Sequence, residues 1–114
     1  MLGGKGQSRV IDVGSLARSR TDKWWNADLC EVNDCVVRLG VFEGEFHWHK
    51  HDLEDELFFV VSGLLLLDLE GGTIELAPAQ GYTVPRGVLH RTRAVRRTVV
   101  LMVEAKGVRP AGDA

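Results

Sequence analysis

Short apolar stretches, each closed within a few residues by a turn-forming pair, leave this chain little to build with except β-strands. The breaks fall at Asn33-Asp34, Ser62-Gly63, Gly71-Gly72 and Pro85-Arg86-Gly87, residue types that supply positive φ, a fixed φ or local side-chain hydrogen bonds. No window carries a long helical period, and no repeat of solenoid length is present. The spacing predicts strands at 10–13, 24–31, 35–42, 46–51, 56–61, 64–70, 73–77, 82–84, 89–94 and 98–104, with a short turn or helical piece at 16–20. The fold class is all-β. At 114 residues the chain makes one domain with a modest core.

Two runs within these strands, 57–61 and 64–67, are apolar at every position, the pattern of a strand buried on both faces. A barrel this small has one interior, so the outer face must meet something else. A homodimer packing sheet on sheet is expected. The alternative is cover from within the chain, by N-terminal strands bearing Trp24 and Trp25.

Potential metal ligands gather in two places. The first stretch reads His49-Lys50-His51-Asp52-Leu53-Glu54-Asp55-Glu56, and the second Pro85-Arg86-Gly87-Val88-Leu89-His90. On a strand, positions i and i+2 share a face, so His49 and His51 can grip one ion from one wall. Glu56 follows an acidic bend, and the Pro85–Gly87 turn delivers His90 from a distant strand. Three imidazoles and a carboxylate suit a divalent transition metal (Fe, Mn, Ni, Cu or Zn) and leave coordination positions for water or substrate. On a regular strand Glu45 and His47 would share the ligands' face. His47 is then a fifth ligand, an acid/base or substrate-contacting imidazole beside the ligands, or a purely structural residue. It is the acid/base candidate next to the site. Phe58, Val60, Val100, Met102 and Thr92 are expected to line an otherwise apolar cavity, with Arg86 and Tyr82 as surface or packing residues near its rim.

The stretch from Gly44 to Gly63 closely resembles the first cupin motif, and Pro85 to His90 the core of the second. The resemblance runs from about Cys35 to Glu104. It implies a double-stranded β-helix with a metal in its interior, and by position the family's ligands fall on His49, His51, Glu56 and His90. It also implies sheet-on-sheet pairing, which cupins commonly use. Three departures stand out. The spacing from Gly44 to His49 is one residue short, the glycine that often opens the second motif falls on Ala79 with Gly81 two residues later, and its usual closing asparagine falls on Ala94. None removes a ligand. The expected layout is an N-terminal arm at 1–34 contributing to the dimer interface, a cupin barrel at 35–106 and a flexible tail at 107–114.

Charge and cysteine usage narrow the partners. A formal net charge of -2 gives no argument for nucleic acid or an anionic membrane. Acidic residues crowd 43–56 and arginines crowd 86–97. This reads as a solvated, mutually compensating surface, with an arginine rim for an anionic substrate as the alternative. No apolar run reaches membrane-spanning length and no signal-peptide segment precedes the first strand, so a cytoplasmic protein is expected. Cys30 and Cys35 flank the Asn33-Asp34 turn and are expected to be free thiols.

Two chemistries fit such a site on a small, oxygen-chelating molecule. One is a dioxygenase-type reaction at open metal positions. The other is Lewis-acid polarisation of a carbonyl or enediol, leading to isomerisation, decarboxylation or hydrolysis. The competing class is a non-catalytic module that binds or senses a small ligand or metal. A metal-free, epimerase-like use of a histidine base has no need of all four ligands.

Overall fold

The structure is a computed structural model and describes residues 9–107 and 112. Its elements are α1 (Val13–Arg18), β1 (Trp24–Val32), β2 (Cys35–Glu45), β3 (Glu56–Ser62), β4 (Leu65–Leu69), β5 (Gly72–Leu76), β6 (Gly81–Val84) and β7 (His90–Ala105). All strand pairings are antiparallel, in the order β1-β2-β7-β3-β6, with β4 bridging β5 and β7. This is the double-stranded β-helix.

The expected strand at 10–13 does not form. Asp12 instead takes an extended conformation and its carboxylate accepts from Ser15 N at 3.0 Å, capping α1. An oxygen side chain three residues before a free helical N–H is the usual N-cap arrangement. The helix buries Ala17 on Leu39, Val41 and Val99, the outer face of β2 and β7, with Trp25 and Leu29 packed beside it. β1 and β2 form the expected hairpin, turning at Asn33 with φ 52. Their register places Cys30 opposite Val37 and Cys35 opposite Val32, so the two thiols do not face one another and both are free.

The two strands expected at 89–94 and 98–104 are one continuous strand, β7. It changes partners along its length. Residues 90–93 pair with β4, while residues 99–104 pair with β3. β2 spans both halves, with a register shift between Phe42 and Gly44 that absorbs the exposed Val95–Arg97 segment. Because side chains alternate across a strand, inward-facing residues form layers. Glu56 lies opposite Glu104, Phe58 opposite Met102 and Val60 opposite Val100. These apolar layers join Phe42, Leu65, Leu67, Leu76, Val84 and Ala94 in the main core.

Among the described residues, nothing gives the outer face of β3 such cover. Phe59 is 38% exposed and Val61 39%, with Leu57, Leu101 and Val103 half-buried around them. The N-terminal residues cover β2 instead: Trp25 packs on the outer cluster and Trp24 on the barrel core. The arginine-rich stretch serves the fold. Arg91 and Arg93 both pair with the buried Asp68, and Arg97 donates to the carbonyls of Ala17 and Arg20. The residues 108–111 and 113–114 lie outside those described, and the expectation of a flexible tail falls largely on them.

Candidate metal centre

His49, His51, Glu56 and His90 converge inside the barrel, all buried, with one donor atom from each lying within 4.8 Å of the others. Their backbone settings differ. Glu56 opens β3 and His90 opens β7. The regular strand expected at 46–51 does not form. β2 stops at Glu45, and His49 joins the sheet through one isolated bridge to His90, each residue's N–H donating to the other's carbonyl at 2.9 Å. His51 is held by its carbonyl, which accepts from Gly87 N at 2.7 Å. Gly87 has φ 76, a turn conformation that glycine adopts freely. The Pro85–Gly87 turn thus ties both ligand segments together.

Ring orientation is fixed by the backbone. Nδ1 of His49 donates to the His47 carbonyl at 3.0 Å, and Nδ1 of His90 to the Val88 carbonyl at 2.9 Å. A carbonyl can only accept, so both Nδ1 atoms carry their proton, which makes Nε2 the atom each ring can offer a metal. Glu56 Oε1 lies 3.3 Å from His51 Nε2 and 3.6 Å from His90 Nε2. His90 Nε2 and Glu56 Oε1 are buried without a hydrogen-bond partner. Each such atom costs about 1–3 kcal/mol unless something satisfies it. Burial pushes the His49 imidazole down to about 4, so this ring is neutral at pH 7. Burial alone would raise the Glu56 carboxyl, but the neighbouring His51, His90 and Glu104 side chains outweigh it and hold Glu56 below the usual carboxylate range. His49 therefore stands as a neutral imidazole and Glu56 as an anion, the protonation states that coordinate metal.

The donors fit a transition-metal ion. Two ligands each about 2.1 Å from one ion lie at most about 4.2 Å apart, so a donor spacing of 4.8 Å would have to contract by at least about 0.6 Å on binding. Hard calcium-type sites, built from many oxygens, do not match three imidazoles.

Around the centre is a cavity of about 30 Å³, lined by Trp24, Phe42, Phe46, Phe58, Thr92 and Met102 and by the polar Asn26, Arg38 and Glu104. It holds roughly two water molecules. Trp24 stacks on Phe42 at 4.2 Å and on Phe46 at 5.4 Å, closing one wall with aromatic rings. Gly40 makes room for this: a Cβ there would lie 2.3 Å from the Phe42 ring. Of the residues expected in the cavity, Phe58, Met102 and Thr92 line it, whereas Val60 and Val100 are fully buried core. His47 is exposed, its ring 5.3 Å from that of His49, and it is not among the lining residues. Gly112 lies over His49: a Cβ on it would come within 2.6 Å of His49 Cβ.

Sequence reasoning missed Arg38 and Glu104. Both are buried, at 8% and 3% exposure, and Arg38 Nη1 donates to Glu104 Oε1. Burial, reinforced by the neighbouring Glu56 carboxylate, pushes the Glu104 carboxyl up to about 9. The alternation Thr98, Val100, Met102, Glu104 puts Glu104 on the same face as the core residues, which was the available signal.

A small antiparallel barrel with histidines and a carboxylate converging in its interior defines a cupin-type fold with a candidate metal centre. Residues 35–104 match the Cupin domain family, and the chain belongs to it. It is 42% identical over 100 residues to the protein YdbB of Bacillus subtilis, covering 87% of this chain and 88% of that one. Among solved structures it is similar to a cupin-2 domain containing protein from Shewanella frigidimarina, with a TM-score of 0.81 and 30% identity over 85% of this chain and 95% of the other. A protein with a double-stranded β-helix domain from Klebsiella pneumoniae matches at a TM-score of 0.77 and 20% identity, over 94% of this chain and 92% of that one.

Proposed function

We propose that this protein holds one divalent transition-metal ion through His49, His51, Glu56 and His90, and that it is a metal-dependent enzyme acting on a small molecule that chelates through oxygen. The observation that carries this is the pair of imidazoles locked by their i−2 carbonyls, whose ring nitrogens converge with those of His51 and the buried Glu56 oxygen. A bound ion would supply either open positions for substrate and dioxygen or a Lewis acid at a carbonyl. The residues of this chain do the rest. The Trp24–Phe42–Phe46 wall excludes water, and backbone carbonyls fix the ring orientation of His49 and His90. His47, expected as an acid/base group, stands at the exposed edge and would reach only a substrate that extends out of the cavity.

The small cavity favours a second reading, a module that binds or senses a small ligand without turnover. Oxygen consumption by the metal-loaded protein, measured with a panel of diketones, catechols and thiols, separates the readings. Oxygen uptake with product indicates oxygenase chemistry, and product without uptake indicates Lewis-acid chemistry. A thermal shift with no product across the panel would favour the binding module. We further propose a homodimer that buries Phe59 and Val61, and a cytoplasmic location. Among the described residues no helix is long and apolar enough to cross a membrane.

A further inference from the structure

Glu104 sits beside the four donors without contributing one of their converging atoms. It is the cross-strand partner of Glu56 in the β3–β7 register, both side chains face inward, and their exposures are 4% for Glu56 and 3% for Glu104. The two carboxyl groups stand opposite one another across the β3–β7 pair and line the same cavity, and Glu104 Oε2 is buried without a hydrogen-bond partner. From the other side Arg38 fixes Glu104, and Arg38 is itself anchored by its Nε on Asp28 at 2.8 Å. Hydrogen bonds therefore link Asp28, Arg38 and Glu104, and Glu104 faces Glu56, with each on a different strand, from edge strand β1 across β2 and β7 to β3.

Folding alone gives no reason for these groups. The adjoining layer is Phe58 against Met102, and apolar side chains would fill the neighbouring space without the desolvation cost of a buried ion pair. What the groups do accomplish is orientation. A carboxylate ligand on a lone side chain has rotameric freedom, and a partner fixed by a guanidinium removes it. We infer that Glu104 is a positioning residue for the metal centre: pinned by Arg38, it holds the Glu56 carboxylate toward the three imidazoles and thereby sets the affinity for a divalent ion. This rests on the metal reading above.

The test is the affinity of the metal-free protein for Zn2+, by competition with a chromophoric chelator, in wild type, Glu104→Ala and Glu104→Gln. Glutamine keeps the acceptor for Arg38 and the same shape, and its NH2 offers the Glu56 carboxylate a donor across the strand pair. Glu104→Ala is expected to weaken Zn2+ binding about 10- to 100-fold, the typical effect of losing a ligand's hydrogen-bonding partner. Glu104→Gln is expected to stay within about threefold of wild type. A purely structural role would lower the urea midpoint of the metal-free protein without this split in affinity between the two variants. If Glu104→Ala fails to fold, Arg38→Met removes the pin one step away and should weaken Zn2+ in the same direction. Unchanged affinity in Glu104→Ala, or in Arg38→Met where that variant stands in, would overturn the inference and leave the metal reading intact. So would a loss in Glu104→Gln equal to that in Glu104→Ala. A folded wild type that binds no Zn2+ sinks both.

Discussion

Replacing Ala79 with glycine should stabilise the protein. Residues 77–80 form a tight turn in which Gln80 N donates to the Ala77 carbonyl at 3.0 Å, with Pro78 at the second position and Ala79 at the third. Ala79 has φ 67, a left-handed value seen here at only one other non-glycine residue among those described, Asn33. A type II turn demands positive φ at its third position and favours glycine there. For a residue with a Cβ the left-handed conformation costs about 1–2 kcal/mol. Glycine's extra freedom in the unfolded chain returns about 0.4–1 kcal/mol of that. Ala79 is exposed, so no packing is lost, and its N–H continues to donate to the Val60 carbonyl. The net expectation is a gain of about 0.5–1 kcal/mol, or about 2–4 °C in Tm. Urea unfolding of the metal-free protein, with an unchanged m-value, reads the effect directly. A neutral or destabilised Ala79→Gly would refute the strain assigned to this turn.

Other expectations concern charge and packing. Glu104, raised in the fold to about 9 from an ordinary 4.5, favours the native state while protonated. Its contribution is present below about pH 4.5 and is lost as pH rises through 9. Metal-free protein should therefore lose stability between pH 7 and 9, by at most about 1.4 kcal/mol per pH unit, and Glu104→Gln should flatten that slope in urea titrations. Gly40→Ala should push Phe42 off Trp24, change tryptophan fluorescence and cost about 1–3 kcal/mol by overpacking. Asp68 accepts from Arg91, Arg93 and Thr73, and these bonds hold its carboxyl well below the usual range. Asp68→Ala should cost about 2–3 kcal/mol at pH 7 in urea unfolding, and the difference from wild type should shrink as pH falls below about 4, where the unfolded carboxyl protonates.

The four convergent side chains were legible because turn chemistry marks where the chain reverses: Pro85 and Gly87 announce the return that brings His90 beside His49. The Asn33-Asp34 and Gly71-Gly72 hairpins were legible for the same reason. What escaped was set by tertiary contacts. The sequence around Val95–Arg97 looks like a break, and only pairing with β2 on both sides keeps β7 continuous. The segment 10–13 has strand-like residues, yet Asp12 finds an unpaired helical N–H and caps α1. Arg38 and Glu104 were overlooked because period-2 alternation cannot say whether a charged residue on the core face is an exception or a shift in register. His49 and His51 were paired by assuming a regular strand, and the structure brings them together through a bridge and a turn contact instead.

Crystals grown from protein loaded with Zn2+, measured at the zinc absorption edge, address the metal centre most directly. The expected result is a single strong anomalous peak per chain, about 2.0–2.2 Å from a ring nitrogen of each of His49, His51 and His90 and from a Glu56 oxygen. No peak at that point, or a peak held by other residues, would contradict the account.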